Sequence, residues 1–322
     1  MKAYVLANFG GPKNTEDVFP FLRALLTDPY LTGNFRPLCL HRPFFTLIAK
    51  LRTKKVSALY QTIGGKSPIY RDTNFLAQKL RLKLQVPVIP FHRYLPDTHE
   101  VFLEELRSLL QKKYKITVLP LFPYFTYSVT GSIAHFFSKH LDSNGLEWIK
   151  SFGNHPAFVF SQVKHLSQYL EKRKLTPKNC ILIFSAHGIP KSFVLSGDPY
   201  VRECSVSFQK IASYFPESDN ILCYQSRFGP AKWVTPYTEV VCQQLIASKN
   251  KKNAVIIPFG FLSDHLETLY EIEKLYLPLL RENGFNAYRL PALGKTDILP
   301  KALTEIIRTT KKVKTEKLLK NI

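Results

Sequence analysis

The sequence predicts an α/β protein of two related lobes, each a parallel sheet flanked by helices, with an active-site cleft between them. Short apolar runs alternate with segments of helical periodicity through most of the 322 residues, the pattern of parallel sheets covered on both faces. The runs at 181–184 and 255–258 are apolar at successive positions rather than at alternate ones, as strands buried on both faces are. The two halves of the chain also open alike. A first strand runs into Asn8-Phe9-Gly10-Gly11-Pro12 and a later one into Ala186-His187-Gly188-Ile189-Pro190, which places Phe9 opposite His187.

In order along the chain, strands are expected near 3–7, 86–91, 116–122, 157–161, 181–184, 221–224, 254–259 and 287–290. Helical periodicity occupies 16–26, 99–112, 132–141, 162–172, 206–214, 238–247 and 265–280, and a last helix runs over about 299–319. The break between lobes is expected at 145–155. This gives a first lobe over 1–147, a second over 148–298, and a C-terminal helix within 299–322 that packs back on the lobes. Residues 31–55 depart from the alternation. They are rich in Pro, Phe and Leu and carry Arg42, Lys50, Arg52, Lys54 and Lys55, the composition of a lip that meets a membrane surface or of a crossover helix with a basic face.

Hydrophobic residues make up 45% of the chain, enough for a packed core, and no apolar run reaches the roughly 18–20 residues that span a bilayer. The N-terminus, MKAYVLANFGGP, has no charged region, apolar region and cleavage site in succession, so it is expected to be a first strand and the protein cytoplasmic. Five widely spaced cysteines, Cys39, Cys180, Cys204, Cys223 and Cys242, contain no CxxC pair and are expected to be buried free thiols. The formal charge of +21 suits nucleic acid, an anionic membrane or an acidic small molecule. No helix-turn-helix, zinc-finger or RNP signature accompanies it, so no nucleic-acid partner is expected.

Three groups of residues can carry chemistry. His187 ends a buried strand, where open α/β sheets place their sites. Asp264, Glu267 and Glu271 fall at i, i+3 and i+7, on one face of a helix. Stacked acids repel, so the row calls for a cation, a shared proton or access to water. Asp264 and Glu267 also fit a capping box, which leaves Glu271 without a purpose. The third group is basic and aromatic: Arg52, Lys55, Tyr60, Ser67, Arg93 and Tyr94 in the first half, Tyr224 to Arg227 and Trp233 in the second. Such walls suit a flat, apolar ligand bearing carboxylates.

The segments LANFGGP, YQTIGGKSPIY, RYLPDTHE, LPLFPYFTYSVTGS, FSAHGIPKSFVLSGDPY, YQSRFGPAKWVTPYTEVV and FLSDHLETLYEIE resemble, in this order, the successive motifs of the ferrochelatases, from Leu6 to Glu273. The resemblance implies two Rossmann-like lobes of the chelatase type and insertion of Fe2+ into a porphyrin. It implies His187 as the base that takes the pyrrole protons, with His187 and Glu267 as metal ligands. Glu267 and Glu271 would then relay protons or metal, and Asp264 and His265 complete the acidic motif, His265 orienting its neighbours. By the same resemblance Phe9, Tyr60, Tyr94, Tyr124 and Trp233 pack the macrocycle, Arg52, Lys55 and Ser67 lie near its propionates, and Arg93 lies near the metal. Where the coproporphyrin-using branch often has Tyr beside the first Gly-Gly, this chain has Phe9, and phenylalanine cannot ligate iron; protoporphyrin IX is the expected substrate. No iron–sulfur cluster is expected, since no cysteine lies beyond Cys242, nor any other tightly bound cofactor. The partners implied are porphyrin and ferrous iron, with peripheral contact to an anionic membrane through the lip, at the inner face. Alternatives are coproporphyrin III as substrate, a related chelatase for Co2+ or Ni2+, and a non-catalytic haem carrier, which would use His187 as an axial ligand but has no need of Glu267 and Glu271.

Overall fold

Two groups of strands organise the computed structural model, which describes residues 1–33, 38–142 and 145–320. In chain order they are β1 (Lys2–Asn8), β2 (Val88–His92), β3 (Lys115–Pro120), β4 (Leu146–Trp148), β5 (Cys180–His187), β6 (Asp219–Gln225), β7 (Asn253–Phe259), β8 (Asn286–Arg289) and β9 (Val313–Lys314). The first sheet has the order β2-β1-β3-β4-β9 and the second β6-β5-β7-β8. All pairings are parallel except that of β4 with β9. In each sheet the first strand in sequence lies between the second and third, which gives the likeness of the two opening motifs a topological counterpart. The chain divides into two units. The first is Met1–Ser151 together with the chain from Ile307, and the second is Phe152–Ile306.

The central strands are apolar at nearly every position because both of their faces are covered. β7 is buried along its whole length and β1 from Ala3 onward. In the first unit an aromatic group fills the space between sheet and helices. The Phe91 ring lies 4.6 Å from Phe102 and 4.9 Å from Phe137, and Phe137 lies 5.4 Å from Trp148. In the second unit Ile183, Ile256, Ile272 and Leu280 form the corresponding core at 0% exposure.

Several elements differ from expectation, each for a local reason. Residues 157–161 are helix, the start of Pro156–Lys172, rather than strand. Pro156 occupies the first turn, the His155 ring accepts the Ala157 N–H at 3.1 Å, and Phe158, Val159, Gln162, Leu166 and Leu170 share the buried face. The strand beside β3 is instead the short β4. The last helix is Ile298–Thr309 and does not reach 319. Beyond it Val313 pairs with Trp148 in β9, and the buried Trp148 indole donates to Thr315 Oγ1 at 3.0 Å. The helix Leu38–Gln61 covers most of the stretch read as a lip or a crossover helix, and the helix Ile69–Leu84 lies where no element was expected. The second buries Ile69, Thr73, Leu76 and Leu80 along one face. The first carries Leu40, Phe44, Leu47 and Leu51, at helical spacing, on its exposed side. Residues 34–37 of the expected lip lie outside the described residues, as do 321–322 of the C-terminal segment. Cys39 is exposed on this helix, whereas the other four cysteines are buried. Among the described residues no helix is long and apolar enough to cross a membrane.

Thr315→Val keeps the volume of the side chain but removes the acceptor of the Trp148 N–H. The buried donor is then unpaired, and urea unfolding is expected to show a loss of about 1–3 kcal/mol.

Candidate active site

β5 stays paired three residues further than the apolar run at 181–184 suggests. His187 is its last residue, in register with Gln225 of β6. The strand then turns at Gly188, whose N–H donates to the Gln225 carbonyl at 2.8 Å. A side chain here would put its Cβ 3.0 Å from that carbonyl oxygen and 3.2 Å from the Trp233 ring, so the close approach favours glycine. The His187 Nδ1 lies 2.6 Å from the Gly188 carbonyl oxygen. A carbonyl only accepts, so Nδ1 carries the proton and the neutral ring keeps its lone pair on Nε2. Tyr200 donates to the His187 carbonyl at 2.9 Å and steadies the strand end. Burial pulls the His187 pKa below the ordinary histidine value, outweighing the opposite pull of Glu267.

The acidic segment follows β7. It does not put three carboxylates on one face. Asp264 and His265 precede the helix, and Glu267–Tyr276 is wound as a π-helix, its end marked by the Leu277 N–H reaching back five residues to the Ile272 carbonyl. An α-helical count from 264 therefore misplaces the first acid. Asp264, 1% exposed, points to Arg289 Nη1 at 2.7 Å and Lys295 Nζ at 3.5 Å, and accepts from Thr268 at 3.0 Å. Glu267 lies on the other course of the chain. Its carboxylate is 2.5 Å from His265 Nδ1. Burial opposes charge on both partners, but their attraction wins: the Glu267 pKa is held well below, and the His265 pKa above, its ordinary value. The contact favours the carboxylate form of Glu267 and the protonated form of the His265 ring.

Among the described residues Glu271 has no cation within ion-pair distance. It accepts from Ser226 at 2.7 Å, from Gln225 at 3.3 Å and from Tyr276 at 3.3 Å. Burial, reinforced by the charge of Glu267, pushes its pKa up to about 7. Gln225 joins the parts. Its Oε1 accepts from Ser185 at 2.6 Å while its Nε2 donates to the Glu267 carbonyl at 2.9 Å, so β5, β6 and the π-helix share one amide. The Phe261 ring stands 4.7 Å from His265 and 6.4 Å from His187. Among the described residues no group of three or more His, Cys, Asp and Glu side chains forms a metal-holding cluster.

Gln225 and Ser226 were legible only as residues leaving a strand; the signal that gives them a role is that β6 ends beside His187. Tyr276 reaches Glu271 across five residues, a spacing that α-helical periodicity does not connect. Arg289, which neutralises Asp264, sits on β8 and carries no local mark.

In the first unit Phe9 follows β1 and its ring lies 4.6 Å from Tyr94, edge to face. Arg93 is half-buried and held by Asp28 Oδ2 at 2.8 Å and Ser132 Oγ at 3.0 Å. Asp28 also accepts from Tyr94 at 2.9 Å and from Ser132. Several residues expected on the wall of a ligand site are instead packed into the unit. Tyr94 is 0% exposed, Tyr124 2%, Ser67 4% and Tyr60 5%. The Tyr94 hydroxyl is spent on Asp28, and Ser67 lies against Gly11, where an added Cβ would meet it at 2.6 Å. Phe9, Arg52 and Arg93 are partly exposed and Lys55 is exposed. In the second unit Trp233 is 8% exposed and its indole donates to the Phe228 carbonyl at 3.1 Å.

The family model for ferrochelatase matches residues 1–311. A ferrochelatase of Chlamydia pneumoniae is 47% identical over 319 residues, 99% of this chain and 96% of that protein. One of Chlamydia felis is 46% identical over 320 residues, 99% of each. Among solved structures, CbiX, described as the terminal enzyme for biosynthesis of sirohaem in denitrifying bacteria, has a TM-score of 0.56 at 14% identity, covering 96% of this chain and 98% of that chain. SirB from Bacillus subtilis with Fe3+ has a TM-score of 0.57 at 13% identity, covering 96% and 95%. At such identities the likeness is one of fold.

The folded pKa of Glu271 lies above its ordinary value of 4.5. Folded protein therefore keeps a proton that the unfolded chain releases, and stability falls as pH rises from about 4.5 to about 7. Glu271→Gln cannot release that proton. Urea unfolding at a series of pH values is expected to show a flatter dependence in this window for the variant than for the wild type.

Proposed function

This chain belongs to the ferrochelatase family, inserting ferrous iron into a porphyrin in haem biosynthesis, and we propose that His187, Glu267 and Glu271 carry the reaction. Insertion of Fe2+ releases the two pyrrole N–H protons. A base for them needs a lone pair and must be neutral at working pH. The single observation that carries this reading is the His187 ring, whose Nδ1–H is committed to the Gly188 carbonyl, leaving the Nε2 lone pair. Its lowered pKa keeps it neutral at pH 7.

Once His187 takes a proton, the fixed carboxylate of Glu267 favours the imidazolium, since the two are electrostatically coupled. Glu267 cannot itself hold that proton, because His265 keeps it ionised. Glu271, with a pKa near 7, exchanges a proton readily at neutral pH and is the next station outward. His187 and Glu267 also offer a nitrogen and an oxygen donor to the incoming iron. His265 sets the charge of Glu267. Asp264, ion-paired to Arg289 and Lys295, positions the segment rather than relaying protons.

Protoporphyrin IX is the proposed macrocycle, because Phe9 brings no oxygen donor to the metal. Phe9, Arg52, Lys55, Arg93 and Trp233 are proposed to face it, with the cations towards its propionates. Tyr60, Ser67, Tyr94 and Tyr124 support that wall from behind, in keeping with their burial.

A peripheral membrane contact is proposed at the helix Leu38–Gln61, on the inner face of an anionic membrane. Its exposed Leu40, Phe44, Leu47 and Leu51 are flanked by exposed Arg42, Lys50, Lys54 and Lys55, the make-up of an interfacial amphipathic helix. Leu47→Glu with Leu51→Glu is expected to abolish co-sedimentation with anionic liposomes at low salt while leaving turnover of soluble porphyrin unchanged. Failure of the wild type to co-sediment would remove the contact.

The test of the activity is anaerobic. Fe2+ is mixed with protoporphyrin IX, and in parallel with coproporphyrin III, and loss of porphyrin fluorescence is followed. The wild type is expected to turn over protoporphyrin IX faster, and His187→Ala to be slower by about 10²–10⁴-fold, the range for loss of a general base. Tight porphyrin binding without turnover by the wild type would favour a carrier; undiminished turnover by His187→Ala would exclude His187 as the base.

A further inference from the structure

Beside the outer strand of the second sheet lies a cavity of about 490 Å³ that none of the proposed catalytic residues lines. Its walls include Arg173, Lys274, Arg281 and Arg289 against one carboxylate, Glu273. Tyr169 and Tyr288 complete its polar lining. The volume is that of a small-molecule site.

The four cations are not equivalent. Arg289 is already neutralised, with Nε 2.7 Å from Glu273 and Nη1 2.7 Å from Asp264. Arg173, Lys274 and Arg281 have no carboxylate within ion-pair distance among the described residues. Arg173 is not loose, however. Its guanidinium lies 4.8 Å from the Tyr169 ring and 5.0 Å from the Tyr288 ring, and the Tyr169 hydroxyl donates to the Arg289 carbonyl at 2.8 Å. Arg281 reaches the Ala287 carbonyl at 3.5 Å. Two guanidinium groups are thus held by rings and backbone around a hollow, with an ammonium group beside them and their charge unmatched.

The geometry points to a binding site for a phosphate-bearing small molecule in this cavity. Guanidinium groups match phosphate oxygens with paired N–H donors, and an ammonium group adds a point charge, so a compact dianion fits the set better than a single carboxylate does. The site also touches the catalytic segment. Glu273 stands two residues beyond Glu271 on the π-helix, so the two acids use different faces of it. Arg289 ties the cavity to Asp264, which precedes that helix. A bound phosphate therefore bears on the element that positions Glu267 and Glu271.

The inference does not depend on the proposed chemistry, and its test uses no porphyrin. Full-length protein is titrated calorimetrically at pH 7 with inorganic pyrophosphate and, separately, with adenosine diphosphate. Saturable binding with Kd below about 1 mM is expected. The double variant Lys274→Gln, Arg281→Gln is expected to weaken it at least tenfold without changing the thermal midpoint materially. Lys249→Gln with Lys252→Gln removes the same charge from exposed positions elsewhere in the unit and is expected to leave affinity within about twofold. Tighter binding of the nucleotide would assign the cavity to an organic phosphate, equal binding to the inorganic ion. Absence of saturable binding, or equal weakening by the two double variants, would overturn the site.

Discussion

Taking a carboxylate out of water costs several kcal/mol unless something answers its charge, and within eight residues the second unit buries one, Asp264, and half-buries two more, Glu267 and Glu271. Much of its architecture can be read as the answer. Asp264 receives a guanidinium and an ammonium group, Glu267 the His265 ring, and Glu271 hydroxyl and amide donors with a pKa pushed up to about 7. The three solutions differ chemically. Its ion pairs give Asp264 a structural role. A histidine partner keeps Glu267 ionised yet adjustable. Donors without a cation leave Glu271 near neutrality in its titration, the one state in which a carboxyl group passes protons both ways at pH 7.

The demands of this row reach across the sheet. Ser185 on β5, Gln225 at the end of β6 and Arg289 on β8 each give a side chain to it or to the residues that hold it. The π winding serves the same end, because it brings Tyr276 round to Glu271. The first unit uses a related device at Asp28, where one buried carboxylate gathers Arg93, Tyr94 and Ser132. There the partner is a guanidinium, and the contact holds Arg93 in place.

The alternation of strand and helix, the buried character of β1, β5 and β7, and the position of His187 at a strand end were legible because each is local: apolar runs and periodicity report burial directly. Two kinds of feature were misread. At 157–161 a short apolar run was ambiguous between strand and helix, and the cap at His155 with Pro156 decided it. At 313–318 a lysine-rich stretch continued the helical pattern on paper, but pairing with β4 and a seat for Thr315 on Trp148 outweighed it. For the aromatic wall the residue types were legible but their burial was not. Type and motif place Tyr94 and Tyr124 near a site, but only packing shows that their surfaces are already taken.

What the sequence by itself determined is therefore the fold class and the family, together with the choice of His187, Glu267 and Glu271 as the groups proposed to react, since these rest on residue type, order and periodicity. Only the tertiary structure decided their charge states. Whether a carboxylate pairs, shares a proton or stands alone depends on partners contributed by distant strands. Asp264 meets Arg289 across 25 positions and Glu271 meets Ser226 across 45. Spacing along the chain carries no record of those meetings, because long-range contacts form only when the sheet is assembled.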